Sequence, residues 1–178
     1  MGGQRVIVGV TGSVGNLQAL RRAAAEARWR EAELVAVHAW IPPGGDLAER
    51  RSVVAELRQA WRDAAWQRLW NAFDAALGGP PTDLHLEPLI VRGDAAPVLV
   101  DIAADPDDLL VVGAGRRGAL RRRLSRRVSR YCLAHATCPV LAVPPSQLAQ
   151  EMEHPVHAWM VRHRFLLPGK DELSGHHS

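Results

Sequence analysis

Residues 109–144 contain two short apolar runs separated by glycines, arginines and an amphipathic segment. The first run, LLVV at 109–112, lies between acidic residues and glycines, which is typical of a strand buried on both faces. Three glycines follow at 113, 115 and 118, and eight arginines lie between 116 and 130. A helical stripe then ends at Pro139, and a second buried run covers Val140–Val143. This order of elements is typical of a phosphate site in an α/β sheet.

Strand patterns precede this stretch three more times. Apolar runs predict strands over residues 6–10, 34–40 and 84–91, and the last alternates most, which favours an edge position. Helical patterns separate all five strands, so the chain predicts one parallel sheet covered by helices on both faces, with right-handed crossovers. In such a sheet ligands bind at the carboxyl ends of the strands, at the switch point of the strand order.

The helices are predicted from apolar spacing. The first carries Leu17, Leu20, Ala24 and Ala27 and is expected to be capped by Ser13 or Asn16. A long helical pattern over residues 47–77 has an apolar stripe at Val54, Leu57, Trp61, Ala65, Leu69 and Phe73. A short helix follows Gly93, with Pro97 in its first turn, where proline is tolerated.

Length and composition indicate one domain with an appendage. Of the 178 residues 47% are apolar, and we expect a domain over residues 4–144 and a C-terminal tail over 145–178, partly helical or disordered. The two cysteines show no disulfide pattern, which fits a reducing compartment. Neither a membrane span nor a signal peptide is indicated. We therefore expect a cytoplasmic protein without a membrane partner.

Four motifs have simpler explanations than the chemistry they resemble. The G-x-G-x-x-G pattern at 113–118 follows the fourth strand instead of the first and lacks an acid about 20 residues on, which argues against NAD. Cys132, His135 and Cys138 lack a fourth zinc ligand nearby, so we interpret them as packing residues. His38 is interpreted as a satisfied core or rim histidine. The tryptophans at 61, 66 and 70 are assigned to helix packing instead of base stacking.

The arginine run has two interpretations, an anion site or a nucleic-acid surface. No aromatic residues interleave with the arginines, and the helix they enter must turn its other face to the sheet. An anion site carried by the loop is therefore favoured over nucleic-acid binding. No nucleophile–base arrangement or pair of carboxylates falls at the strand ends, so we expect no catalysis.

Two segments resemble the universal stress protein family. The opening half of that domain is similar to RVIVGVTGSVGNLQALRRAAAEARWREAELVAVHAW, and the closing half to VVGAGRRGALRRRLSRRVSRYCLAHATCPVLAV. The resemblance implies a Rossmann-like fold of the adenine nucleotide alpha hydrolase type, with five parallel strands in the order 3-2-1-4-5. It also implies a homodimer paired through the last strand, Val140–Val143, and ATP as a ligand of many members.

The family's nucleotide site maps onto this chain with departures. Thr11 stands where ATP-binding members have an aspartate, and Gly113 matches the first phosphate glycine. The second phosphate glycine falls on Arg116, beside Gly115, and the closing glycine–serine pair falls on Arg126 and Arg127. The site implied by the resemblance comprises Gly9, Thr11, Ala39, Gly93, Gly113, Gly115, Arg116, Arg126, Arg127 and Ser129.

The departures have opposite effects on phosphate binding. An arginine in place of a glycine adds bulk and disfavours positive φ. Guanidinium groups, however, bind phosphate bidentately and replace neutral amide donors with charged ones. We therefore expect a non-catalytic stress-response module that binds ATP or another phosphate-bearing ligand. The alternative is a ligand-free interaction or regulatory dimer that docks an unidentified protein through its arginine surface and tail.

Overall fold

A computed structural model describes residues 3–11, 14–42, 55–114 and 122–144, with only the backbone described at 14–15, 55–56 and 122–126. All of them lie in the first of two units of the chain, Met1–Ser146, and the second unit is Gln147–Ser178. The whole predicted tail, residues 145–178, lies outside the described residues. The elements are, in order, β1 (Arg5–Gly9), α1 (Val14–Arg30), β2 (Glu33–Trp40), α2 (Ala55–Leu77), β3 (Leu86–Arg92), α3 (Ala95–Ile102), β4 (Leu109–Gly113), α4 (Arg122–His135) and β5 (Val140–Val143).

The five strands form one parallel sheet in the order β3-β2-β1-β4-β5, which confirms the predicted fold and strand order. The chain leaves β1 toward β2 and β3 on one side and returns through β4 and β5 on the other. The strand order therefore reverses between β1 and β4, whose carboxyl ends lie side by side. Open α/β sheets bind their ligands at this position.

Helices cover both faces of the sheet, as predicted. Along β1 the side chains of Val6 and Val8 join a core that includes residues of α1 and α2. Ile7, which points the other way, joins a second core with Leu99 of α3 and Cys132 of α4. All three β1 side chains are fully buried. A central parallel strand buried on both faces explains why this run contains only apolar residues.

The long helix α2 packs through only part of the stripe that its sequence predicts. Ala65, Leu69 and Phe73 are fully buried, whereas Leu57 is 44% exposed. A helix of 23 residues is about 35 Å long, while the eight residues of β2 span about 26 Å. The helix therefore extends past the sheet at its amino end, and the expectation of burial at Leu57 is wrong. Val54 lies outside the described residues.

The two edges of the sheet are β3 and β5. The predicted edge position of β3 is confirmed, and every residue of β3 except Arg92 is half-buried. All four residues of β5 are also half-buried, so the expectation of a buried run at Val140–Val143 is wrong, because this strand has a neighbour on one side only. The predicted pairing of two copies through β5 remains a prediction. In the described part of the chain, no helix is both long enough and apolar enough to cross a membrane.

Candidate functional site

The carboxyl edge of the sheet brings together four of the residues predicted to form a ligand site. Gly9 ends β1, Thr11 follows it and is exposed, Ala39 lies half-buried near the end of β2, and Gly113 ends β4. Because β2, β1 and β4 are neighbours in the sheet, these residues lie along one part of its carboxyl edge, the position, here called the crevice, where open α/β sheets bind ligands. Gly93 directly follows β3, one strand farther away.

Two of the glycines at this edge have structural explanations. A Cβ atom built on Gly9 would lie 2.7 Å from Cδ1 of Leu99, so the absence of a side chain lets α3 pack against the end of β1. Gly93 has φ +152°, and a Cβ atom there would lie 2.8 Å from Cγ2 of Val98. Both positions therefore require glycine for the turn or for close packing, whether or not a ligand binds.

The predicted phosphate-binding residues are described only in part. Arg127 lies on α4 and is exposed, whereas Ser129, two residues later, is 6% exposed. The two side chains therefore have different surroundings, and only Arg127 is open to a ligand in solvent. Gly115 and Arg116 lie outside the described residues, as does the side chain of Arg126.

Asn16 binds the backbone at the end of β1, a role that its sequence position does not indicate. Its Oδ1 atom accepts a hydrogen bond from the Thr11 N–H at 2.8 Å, and its Nδ2 atom donates to the Gly9 carbonyl at 2.7 Å. Helix α1 begins at Val14, so the expectation that Asn16 caps this helix is wrong. The other predicted cap, Ser13, lies outside the described residues.

His38 holds the same strand end from the β2 side. Its Nδ1 atom lies 2.7 Å from the Val10 carbonyl oxygen, and because a carbonyl can only accept, Nδ1 carries the proton. The residue is 6% exposed, which confirms the interpretation as a satisfied core histidine. Burial lowers the pKa of His38 below its ordinary value; the Val10 bond opposes this shift, and the charge of Arg68 adds to it. The ring is therefore neutral at neutral pH.

The backbone of Ala39 extends past the last bonded pair of β1 and β2. The backbone N–H and C=O groups of odd-numbered β2 residues point toward β1. The Glu33 N–H donates to the Gln4 carbonyl, and the Val37 carbonyl accepts from the Val10 N–H. The β1–β2 register ends at the pair of Gly9 and Val37. Within the described residues, no hydrogen bond joins the Ala39 N–H to the Val10 carbonyl. Ala39 therefore presents a backbone donor toward the crevice beside Thr11.

Other backbone donors at this edge are already bonded. The N–H groups of Val10 and Ala114 donate to Val37 and Val143, both at 2.7 Å, and that of Gly93 donates to Trp40 at 2.9 Å. The Thr11 N–H is bound by Asn16. Apart from the Ala39 N–H, the groups that could hold an anion in this crevice are therefore charged side chains and donors outside these strand ends.

Among the other motifs, the two cysteines and two of the tryptophans have packing roles, whereas the expectation that His135 packs in the interior is wrong. Cys132 and Cys138 are buried, whereas His135 is exposed and stacks on Tyr131 with ring centroids 4.1 Å apart. Across the described residues, no group of three or more His, Cys, Asp or Glu side chains could hold a metal ion. Trp66 and Trp70 stack on each other at 6.0 Å and pack against the core, as expected for helix packing.

A second concavity lies away from this edge, between α1 and the turn that joins α2 to β3. Its volume is about 550 Å³, and two arginines of α1 line it. Arg21 donates to the carbonyls of Ala75 and Ala76 at the end of α2, while Arg28 binds Asp83 through two hydrogen bonds of 2.6 and 3.0 Å. These arginines therefore hold the turn in place against α1.

Comparison with known proteins identifies the family. The model of the universal stress protein family matches residues 3–144 of the chain. The chain belongs to the universal stress protein family. Universal stress protein Rv2623 of Mycobacterium tuberculosis is 35% identical over 162 residues, which cover 86% of this chain and 51% of that protein. A universal stress protein of Mycolicibacterium smegmatis is 31% identical over 145 residues, covering 79% and 45%. The chain thus spans about half the length of the curated relatives it matches.

Solved structures of the family share the fold of this universal stress protein. The hypothetical protein MJ0577 superposes with a TM-score of 0.63 at 18% identity, covering 83% of this chain and 99% of that one. UspA from Lactobacillus plantarum superposes with a TM-score of 0.54 at 20% identity, covering 80% and 99%. At this level of identity these likenesses show the fold alone.

Proposed function

We propose that this universal stress protein domain binds an adenine nucleotide, ATP among them, or another phosphate-bearing ligand, and acts in the stress response without catalysing a reaction. The observation that carries the proposal is the backbone donor of Ala39, which faces the crevice at the switch point of the sheet beside the exposed Thr11. A planar base with an acceptor atom on its edge is a suitable partner for a half-buried backbone donor at the end of a strand.

Charged side chains, in this proposal, hold the phosphates. Backbone donors at the ends of β1, β3 and β4 are bonded within the protein, so they contribute no cradle there. Arg127 is exposed on α4, in the segment that follows the glycine loop. Arg116 and Arg126 fall at sequence positions where ATP-binding members of the family have phosphate-binding residues, and we include both in the proposed site. Arginine binds phosphate through two parallel hydrogen bonds, which suits a site without a converging amide loop.

Charge neutralisation by arginine also bears on metal dependence. The position at the end of β1 holds Thr11 and not a carboxylate, so this strand offers no negatively charged ligand to a divalent cation. We therefore expect nucleotide binding to depend little on added Mg²⁺.

Titration of a fluorescent ATP analogue into the purified protein tests this proposal. We expect saturable binding, and a loss of about tenfold or more in affinity when Arg126 and Arg127 are both changed to alanine. The variant with Arg58→Ala and Arg62→Ala, two exposed arginines of α2, is the matched control and should bind normally. Absence of saturable binding at millimolar ATP, or equal loss in both double variants, would contradict the proposal.

The runner-up is a ligand-free interaction or regulatory dimer that docks a protein through its arginine-rich surface and tail, and the described residues bear on its pairing through β5. This edge strand is half-buried along its whole length, so its apolar side chains remain partly open to a partner. The backbone groups of odd-numbered residues in and next to β5 point toward β4, since the carbonyls of Val143 and Pro139 accept from the N–H groups of Ala114 and Leu110. The N–H of Ala142 consequently points away from the sheet, toward the side where a second copy would pair.

Substitution of Ala142 by proline separates this dimer from the isolated domain. Proline removes the outward N–H while leaving the bonds to β4 in place. If two copies pair through β5, light scattering after size exclusion should show a dimer for the wild type and a monomer for Ala142→Pro. An unchanged dimer in the variant would rule out pairing through this strand.

The cytoplasm is the compartment that we propose for this protein. Cys132 and Cys138 are free thiols buried in one core, and free thiols persist in a reducing environment.

A further inference from the structure

His38 occupies the carbonyl that a continued strand ladder would use. Parallel strands bond in a regular pattern. A residue whose N–H points toward the neighbouring strand donates to the carbonyl of the residue that precedes its register partner on that strand. Glu33 follows this pattern by donating to Gln4, the residue before Arg5. Two positions beyond the end of the register, where Ala39 would pair with Thr11, the same pattern would make the Ala39 N–H donate to the Val10 carbonyl.

The structure shows a different partner at this step. The Val10 carbonyl lies 2.7 Å from Nδ1 of His38, and among the described residues it forms no bond with the Ala39 N–H. The Val10 N–H still donates to Val37 at 2.7 Å, so the ladder is complete up to this carbonyl and ends there. The Val10 carbonyl thus binds the imidazole of His38 instead of the Ala39 N–H at the point where the β1–β2 ladder ends.

The surroundings of His38 keep this exchange in place. The residue is 6% exposed, and its backbone is bound within β2 between β1 and β3. A buried carbonyl without a partner is costly, so the histidine donor satisfies a group that would otherwise seek the nearest free N–H. Asn16 holds the residues on either side of Val10 through the Gly9 carbonyl and the Thr11 N–H.

We propose that His38 is a positioning residue of the ligand crevice: by binding the Val10 carbonyl it ends the β1–β2 ladder early and leaves the Ala39 N–H available to a ligand. This inference rests on the proposed function, since it names the group that keeps the crevice donor available. The ligand atom that meets this donor is a hydrogen-bond acceptor, such as a ring nitrogen or a carbonyl oxygen of a base. His38 itself does not contact the ligand.

Two substitutions at position 38 separate the donor from the bulk of the side chain. In His38→Asn the amide nitrogen takes the place of Nδ1 and keeps the donor to Val10. In His38→Leu the side chain is of similar size but has no donor, so the Val10 carbonyl should pair with the Ala39 N–H instead. Thermal unfolding of both variants shows whether each is folded at the temperature of measurement.

Amide hydrogen exchange in the ligand-free protein reports the ladder directly. In the wild type and in His38→Asn, the Ala39 amide should exchange much faster than that of Val37, because only the latter faces a bonded partner strand. In His38→Leu, the Ala39 amide should become protected by about tenfold or more. ATP affinity should fall about tenfold in His38→Leu and stay within about threefold in His38→Asn.

The outcomes distinguish this inference from the proposed function. If the wild type binds ATP and His38→Leu binds equally well with an unprotected Ala39 amide, the role of His38 is refuted while the proposed function stands. Equal weakness of both variants would also refute it, since the donor would then not matter. If the wild type binds no nucleotide, the proposed function fails, and exchange at Ala39 alone decides whether His38 ends the ladder.

Discussion

Arg5 binds Asp108 through two hydrogen bonds, from Nε at 3.0 Å and from Nη2 at 2.6 Å, across the amino ends of β1 and β4. The Asp108 side chain is 2% exposed, and Nη2 of Arg5 also reaches the Ile102 carbonyl at 3.2 Å. This pair joins the two central strands at the edge of the sheet opposite the crevice. Stability at the amino edge and the proposed ligand binding at the carboxyl edge therefore depend on different residues.

Substitution of Asp108 by asparagine should destabilise the domain by about 2 kcal/mol, because it replaces two charge-assisted bonds with weaker ones beside a guanidinium group that stays partly buried. This corresponds to a decrease of about 6 °C in the melting temperature. Thermal unfolding followed by circular dichroism measures the change. Arg22→Ala is the control: the Arg22 side chain is 55% exposed, and its partner Glu26 keeps an ion pair with Arg30, so this change should cost less than about 0.5 kcal/mol. Equal losses of stability in the two variants would contradict a stabilising role for the Arg5–Asp108 pair.

Substitution of Gly9 by alanine should destabilise the domain by about 1 to 2 kcal/mol, because its Cβ would meet the Leu99 side chain at 2.7 Å within a packed core. Chemical denaturation measures the loss. In a Leu99→Ala background the same substitution should cost less, since the conflicting atoms are gone. Gly3→Ala serves as the control, because a Cβ there has no neighbour within 4 Å. Additive costs of the two core substitutions would refute the contact.

The stability of the domain should fall as the pH decreases below about 6.5, in part because of His38. Burial lowers the pKa of His38 in the folded state, so the unfolded chain takes up this proton at a higher pH than the folded one. The stabilisation is complete above the ordinary histidine pKa and is lost as the pH falls through the interval down to the folded pKa. Urea unfolding of the wild type and of His38→Asn between about pH 5 and 8 should show a shallower decrease for the variant. Parallel curves would contradict this contribution.

The thiol of Cys132 should resist alkylation in the folded protein. Burial raises its pKa to about 11, and Cys132 is fully buried. Burial also raises the pKa of Cys138. Because the thiolate is the reactive form, iodoacetamide at about pH 8 should label neither cysteine quickly until denaturant is added. Mass spectrometry of the labelled protein measures this, and rapid labelling of Cys132 in the native state would refute its burial.

Local patterns in the sequence were sufficient to predict the strands. The runs that became β1 and β4 are apolar and bounded by turn residues, because strands inside a parallel sheet must be apolar on both faces, and the apolar run that became β5 lies at an edge. The short helix after Gly93 was also predicted from a local pattern. The N–H groups of a first helical turn have no partner within the helix, so a proline there costs no hydrogen bond. Leu57 was placed wrongly because periodicity gives the direction of a face and not the length of the sheet beneath it.

Hydrogen-bond partners at the site could not be predicted in the same way. Asn16 has the sequence position of a helix cap, but its side chain binds Gly9 and Thr11, because α1 starts two residues earlier. His38 was correctly expected to be satisfied in the core, while its partner Val10 is 28 positions away, just past the end of β1. Sequence patterns describe the neighbours of a residue along the chain, whereas these bonds join residues that only the folded sheet brings together.

The sequence by itself determined the alternating strands and helices, the parallel sheet and the family, because buried strands, turns and helix faces each require particular residue types in a particular order. Only the tertiary structure decided which backbone groups at the carboxyl edge are bonded and which one faces the crevice. That result depends on the register of β1 against β2 and on the reach of His38 and Asn16 across it. A register is a property of two strands in contact, and no single segment of the chain contains it.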